Sequence, residues 1–397
     1  MAKKTRAFIA QTGHGKGLAK AELINVLGDC VIDEVDEGWV FEAEIEDPKA
    51  TLNRMGGWVR LTEVIQRGPV NMPLNFVDWV TQALENCFDG KDHGKIRFGL
   101  SMHPKSAFVL KKTLNEAKKK AKSKLGNCRF INKDFQNLSS VQAWHEDLLG
   151  PSAAEFNLFK SENYWYLTQT LAIQDFESYG KRDMERPAKS ARNGMLPPKL
   201  AQTLINLAGP CSMVYDPFCG SGTLLQEAWM MGLKAQGSDL EDKQVSDARI
   251  NLDWLQREFR LQGHVEVFQA DATKLTAQQL PQEPFVMVTE TWLGPVLSHP
   301  PSALELPKIQ REIEGLYSDW LHNLKKIIKE ELTIVFTAPY HREHNDRHFL
   351  PRLPELLAEY GEIVPLSTHE RPSLFYERKG QIVGREIWKL TLAPHGS

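Results

Sequence analysis

Apolar positions in the back half of the chain switch between two periods. Short runs at 213–217, 234–239, 265–270, 285–290 and 332–338 read as strands. Between them, apolar residues three and four apart predict helices near 221–231, 242–260, 308–330 and 353–360. Ile309, Ile313, Leu316, Trp320 and Leu324 give the third of these helices one continuous apolar face. Strand and helix in alternation imply βαβ units and a parallel sheet covered on both faces. The stretch GREIWKLTLA reads as one more strand at the end.

The front half has a different grain. Strand-like runs RAFIAQTG, WVFEAEI and VRLTEVIQ surround one helical segment, LAKAELINVLG, whose Leu18, Ala21 and Leu27 form a stripe closed by Gly28. That pattern predicts a small α+β unit over 1–68. From 69 to 178 the theme repeats: a helix around Phe76–Cys87, the strand KIRFGLSM, a helix from about Ser106 to Leu125, and a hairpin turning at SEN. Two separate α+β units are expected. Residues 179–197 turn polar, basic and rich in Pro and Gly, as a linker or ordered loop does. The helix KLAQTLINLAG then opens a last domain over 198–397, with two prolines where a helix can start.

Composition narrows the class without naming a partner. The 397 residues are 42% hydrophobic and 25% charged with a net charge of −3, as in an ordinary soluble multidomain protein. Five scattered cysteines, none spaced CxxC, suggest neither a disulfide framework nor a zinc cluster. No apolar run approaches a membrane span and the N-terminal apolar stretch is too short for a signal peptide, so a cytoplasmic protein, with no membrane partner and a monomer favoured, is expected. Charge is uneven, however: Lys105 to Arg129 holds eight lysines and one arginine against the single acid Glu116. Such a stretch is either a solvated helix face or a surface for phosphates.

The candidate chemistry lies in YDPFCGSGTLLQEA, residues 215–228, at the first strand-to-helix turn of the last domain. A P-loop would need a lysine after its glycines, and a dinucleotide turn would need a small third residue where Leu225 stands. S-adenosylmethionine fits better: it has no phosphates, and the acid Asp216 can meet its ammonium group. Asp239 ends the second strand, where a carboxylate accepts ribose hydroxyls, and Asp271 ends the third, placed for the adenine amine. The expected cofactor residues are Asp216, Phe218, Cys219, Gly220, Gly222, Thr223, Asp239, Leu240, Asp271 and Ala272. Each acid also has the plainer reading of a turn or cap residue. Cys219 has no evident neighbouring base and reads as packing. The histidines of HREHNDRH, His341, His344 and His348, read as a solvated loop, and no metal is expected.

DPFCGSGTLLQEA closely resembles the cofactor motif of methyltransferases acting on exocyclic amines of nucleobases. AIQDFESYGKRDMERPAKSARNGMLPPKLAQTLINLA resembles the segment that joins a THUMP domain to such a methyltransferase in the tRNA guanosine-N2 methyltransferases of position ten, and YERKGQIVGREI is similar to that family's ending. The resemblance covers about 150–397 and, more loosely, the front, where AELINVLG is similar to an N-terminal ferredoxin-like unit and KIRFGLSM with the lysine helix to THUMP. It implies a Rossmann-like class I methyltransferase domain preceded by ferredoxin-like and THUMP α+β domains, with tRNA as partner, gripped near its acceptor end by the front half. Lys111, Lys112, Lys118, Lys119, Arg129, Arg182, Arg186 and Arg192 are then the candidate RNA contacts.

Family members carry an acid or amide, then Pro-Pro-aromatic, after the fourth strand. Here the stretch is TETWLGPVL; matching Gly294 to the glycine that commonly follows puts Glu290 on the acid and Trp292 on the second proline, with Leu293 on the aromatic. A guanine amine is a poor nucleophile because its lone pair is delocalised into the ring. A carboxylate and a backbone carbonyl accepting its two hydrogens localise that pair, which makes Glu290 the candidate acceptor and Trp292 the candidate base contact. A DNA amino-methyltransferase shares the cofactor turn, and the altered motif also fits a protein that binds tRNA without catalysis.

Overall fold

Strand pairing in the front of the chain runs without a break across residue 68. The computed structural model describes residues 5–13, 15–88, 94–189, 195–344, 346–368, 370–378 and 380–394, and every count below refers to these. The chain divides into two compact units, Met1–Lys16 with Leu27–Phe176, and Gly17–Val26 with Glu177–Ser397. Elements of the first stretch are β1 (Arg6–Thr12), α1 (Lys16–Leu27), β2 (Val31–Val35), β3 (Gly38–Ala43), α2 (Pro48–Arg54), β4 (Trp58–Pro69), α3 (Phe76–Phe88), β5 (Ile96–His103), α4 (Ala107–Leu125), β6 (Cys128–Phe130), α5 (Ser140–His145), β7 (Ala153–Lys160) and β8 (Tyr164–Ile173).

All eight strands join one sheet in the order β2-β3-β1-β4-β8-β7-β5-β6. The two expected α+β stretches therefore share one sheet. Strand β4 spans the expected boundary and pairs antiparallel with β8 from Arg60↔Ile173 to Pro69↔Tyr164. Two small sheets would each leave an unpaired edge of N–H and C=O groups, and this pairing removes both. Helices α3 and α4 bury Val80, Leu84, Leu110 and Leu114 against Phe98, Leu100, Phe156 and Leu158 of this sheet. The lysines of α4 stay outside: Lys111, Lys112 and Lys119 are exposed and Lys118 partly so.

Helix α1 departs from the pattern in another way. Its residues 17–26 belong to the second unit, where Leu18 and Ala21 pack with Leu200 and Leu204, and the Asn206 side-chain amide donates to Glu22 Oε1 at 2.7 Å.

The second unit continues with α6 (Phe176–Met184), α7 (Pro198–Ala208), β9 (Met213–Asp216), α8 (Thr223–Met230), β10 (Lys234–Asp239), α9 (Asp242–Phe259), β11 (Glu266–Gln269), β12 (Val286–Glu290), α10 (Leu306–Ile327), β13 (Leu332–Glu343), β14 (Asp346–His348), α11 (Leu353–Tyr360), β15 (Glu362–Ile363), β16 (Leu374–Tyr376) and β17 (Val383–Leu392). Its sheet runs β11-β10-β9-β12-β13-β17-β15, with β14 beside β13 and β16 beside β17. Strands β9 to β13 are mutually parallel, and β17 is antiparallel to β13. Chain order reverses between β9 and β12, and in open α/β sheets that switch point is where ligands bind, beyond the carboxyl ends. This is a Rossmann-like fold, built on the parallel sheet that strand and helix alternation predicts.

The expected linker begins as the end of a helix, residues 179–184, and two of its arginines are structural. Arg182 is 3% and Arg186 1% exposed, so neither can be the surface RNA contact expected of it. Arg182 forks onto the buried carboxylate of Glu227 in α8 at 2.6 and 3.1 Å, and Arg186 donates to the Thr223 hydroxyl at 2.6 Å. Arg192 lies outside the described residues. Removing one partner of a buried ion pair strands the other charge, so Arg182→Ala is expected to cost about 3–5 kcal/mol in a denaturant melt. The salt dependence of RNA binding should not change, whereas loss of a phosphate contact would flatten it at unchanged stability.

Candidate active site

The turn after β9 is built by backbone geometry that favours glycine. Gly220 and Gly222 have φ of +50° and +84°, and a Cβ on Gly222 would meet the Ala248 Cβ at 3.2 Å. The Cys219 N–H donates to the Ser238 carbonyl at 2.9 Å, and the Gly220 N–H to Asp239 Oδ2 at 2.9 Å, so the turn is fastened to the end of β10. Asn251 donates to the Ser221 carbonyl at 2.9 Å and exchanges hydrogen bonds with the backbone of Ala188. Leu225, too large for a dinucleotide turn, is accommodated because the facing residue is Gly237: a Cβ there would lie 2.6 Å from the Leu225 Cδ1. The missing small residue of the helix has moved to the neighbouring strand, which the spacing within the turn alone does not reveal.

Asp216 is 2% exposed and accepts two hydrogen bonds on Oδ1, from the Thr289 hydroxyl at 2.6 Å and the Phe218 N–H at 3.1 Å. Burial pushes its carboxyl up to about 8; these two donors oppose the shift, and the charges of Asp239 and Glu290 add to it. Asp239 is also raised, first by burial, with the Glu241 and Gly220 N–H groups pulling the other way. Asp271 caps the short 3-10 turn Ala272–Lys274, accepting from the Thr273 N–H and hydroxyl at 2.9 and 2.7 Å. Ala272 is buried in the core around Trp320, while Leu240 is 64% exposed at the end of β10. Phe218 sets its ring edge against Trp320. The thiol of Cys219 is pushed well up by burial and then by Asp216 and Asp239, which keeps it protonated and inert. Thr223 already accepts from Arg186.

In the catalytic stretch the structure adds a partner that sequence reasoning missed. Glu290 ends β12, and its Oε1 accepts from Nε of Arg385, a 3% exposed residue of β17. Thr291 is buried, its hydroxyl within 2.5 Å of the Tyr317 hydroxyl and 2.8 Å from the Thr337 carbonyl. Those bonds tether the strand exit where the resembling family has a proline. Trp292 is 38% exposed, so it is not a core residue, and Gly294 turns the chain with φ +92°. The histidine stretch is strand at both ends, with His341 buried and opposite His348 across the β13–β14 pair, while His344 is exposed.

These residues suit S-adenosylmethionine. A buried carboxyl with two donors and a raised pKa favours a cationic ligand, and the carboxylates around the turn would repel a pyrophosphate. Asp216 would hold the ammonium group and Asp239 the ribose. Because Asp216 titrates above its unfolded value of 3.8, it withdraws stability progressively as pH rises from there through about 8. Asp216→Asn should therefore raise the thermal midpoint above pH 8 while weakening cofactor binding by at least about tenfold, roughly 1.4 kcal/mol, in calorimetry.

Residues 186–347 match the family model for the UPF0020, RMKL-like methyltransferase domain. A tRNA (guanine(10)-N2)-dimethyltransferase of Pyrococcus abyssi is 31% identical over 174 residues, 43% of this chain and 48% of that protein. Its namesake in Methanothermobacter thermautotrophicus is 29% identical over 178 residues, 44% of this chain and 47% of that protein. The chain thus spans about half the length of the curated relatives it matches. Among solved structures, a possible methylase from Clostridium difficile 630 aligns over 99% of this chain and 100% of its own with a TM-score of 0.52 at 14% identity. TrmN from Thermus thermophilus aligns over 97% of this chain and 99% of its own with a TM-score of 0.50 at 18% identity. The fold, the glycine turn and these matches agree: residues 186–347 are similar to the UPF0020, RMKL-like methyltransferase domains.

Proposed function

We propose that this chain is an S-adenosylmethionine-dependent RNA methyltransferase that methylates the exocyclic N2 amine of a guanosine in tRNA, at position ten. The observation that carries the reading is the placement of Glu290. It ends β12 beside the switch point, and its charge is felt by Asp216 at the cofactor turn. The names of the curated relatives, tRNA (guanine(10)-N2)-dimethyltransferases, supply the base and the position. In the same reading the front of the chain comprises a ferredoxin-like part over 1–68 and a THUMP part over 69–178, and the protein works in the cytoplasm, where free thiols persist.

The cofactor, when bound, supplies an electrophilic methyl group on a sulfonium. The work of this chain is positional. Asp216 and the glycine turn fix the donor, Glu290 accepts a hydrogen of the amine and draws its lone pair out of conjugation, and Trp292 offers an exposed ring to a base that has left its stack. Lys111, Lys112, Lys119 and Arg129 present exposed cations to phosphates. Lys120 and Lys124 are instead paired with Asp78 and Glu85 of α3, and Lys111 and Lys118 also lie over the rings of Phe135 and Phe130.

Incubation of unmodified tRNA with labelled cofactor and nucleoside mass analysis should yield N2-methylated guanosine. Label in adenosine or cytidine, or cofactor binding without transfer, contradicts the reading. Replacing Lys111, Lys112 and Lys119 by Glu should raise the KM for tRNA and flatten the logarithmic salt dependence by roughly 2–3, at about 0.7–0.9 per phosphate contact. Cofactor affinity should not change.

A further inference from the structure

Two adjacent residues of β17 point to opposite faces, and each has its own ion-pair partner. Glu386 is fully buried and held by Arg371 at 2.7 and 3.0 Å and by the Ser373 hydroxyl at 2.7 Å. Arg385 lies on the other face, the one on which Ile387 packs with Val288 and Val335. From there it reaches Glu290 although β13 stands between them: Glu290 is opposite Thr337, and Arg385 opposite Pro339, two residues further along β13. The two side chains span two strand spacings, about 10 Å, with their tips meeting at a hydrogen bond.

We propose that Arg385 is the positioning residue of this site, fixing one oxygen of Glu290 so that the other is presented to the incoming amine. The inference rests on the function proposed above and deepens it. Glu290 Oε1 is taken by Arg385, and among the described residues no donor reaches Oε2. Glu290 is 17% exposed on its side chain and Arg385 3%, so the pair opens toward solvent at its carboxylate end. A glutamate swings through three torsions where an aspartate has two, and the guanidinium removes that freedom. It also gives the extra methylene a purpose: a shorter acid at 290 would draw back from Arg385 across the intervening strand. Rigidity that a Pro-Pro segment supplies covalently is here divided between this ion pair and the Thr291 hydrogen bonds to Tyr317 and Thr337.

The test is a double-mutant cycle in single-turnover methyl transfer to tRNA, with cofactor and tRNA affinities measured separately. Arg385→Gln should slow transfer at least about 100-fold while both affinities stay within about threefold, and Arg385→Lys should recover part of the loss. In a Glu290→Gln background, adding Arg385→Gln should cost less than about threefold, because a residue acting through Glu290 has nothing left to orient. Full activity of Arg385→Gln, or losses that multiply independently, overturns the proposal. Should Arg385→Gln not fold, the cycle is run with Arg385→Lys, and wild-type rate in that variant overturns it equally. Wild-type protein that transfers no methyl to guanosine would instead sink the proposed function, so the two failures are distinguishable.

Discussion

A carboxyl buried at the end of the first parallel strand with two hydrogen-bond donors sets the terms for everything around it. Asp216 cannot be solvated where it stands, and the Thr289 hydroxyl and Phe218 N–H offset only part of the cost of its charge. Asp239 and Glu290 raise that cost further. Such a cluster of acids is a poor host for phosphate and a good one for a cation, which is why the glycine turn here reads differently from a nucleotide cradle of similar composition. Part of the molecule's stability is given up at this point in exchange for affinity.

The support for that turn comes from a segment whose composition suggests a linker. Arg182 neutralises Glu227 inside α8, Arg186 holds Thr223 at the helix start, and Ala188 is bonded to Asn251, which in turn holds Ser221. Residues 182–188 therefore clamp the first turn of α8 from outside the sheet. Basic residues in a polar, proline-containing stretch look like surface cations in a sequence, yet here the partners are buried oxygens supplied 37 and 45 positions away.

How much was legible follows from which signals are local. Strands β10 and β12, helix α9 and the turn at Gly220 and Gly222 were readable because periodicity, an acid at a strand end and glycine at positive φ are written within a few residues. The strand-end positions of Asp216 and Asp239 followed from βαβ alternation, and that of Glu290 from the resemblance of its stretch to a family motif. Pairings between distant residues were not readable: β4 with β8, Gly237 opposite Leu225, and Arg385 across β13 from Glu290. Asp271 caps the turn that follows its strand, and Thr273 with its hydroxyl two residues on was the available sign of that bond. Arg385 had a weak signal as well, since an arginine beside a glutamate in an otherwise apolar terminal strand must find a partner when buried.

The most direct test of the central claim is the proton balance of cofactor binding, measured by titration calorimetry at pH 7 in buffers of different ionisation enthalpy. With Asp216 titrating near 8 in the free protein and ionised against a cationic ligand, S-adenosylmethionine should bind with release of nearly one proton, about 0.9, from the protein. Release should fade as pH is raised well past 8. Binding with no proton released at pH 7, or no binding at millimolar ligand, would contradict the account.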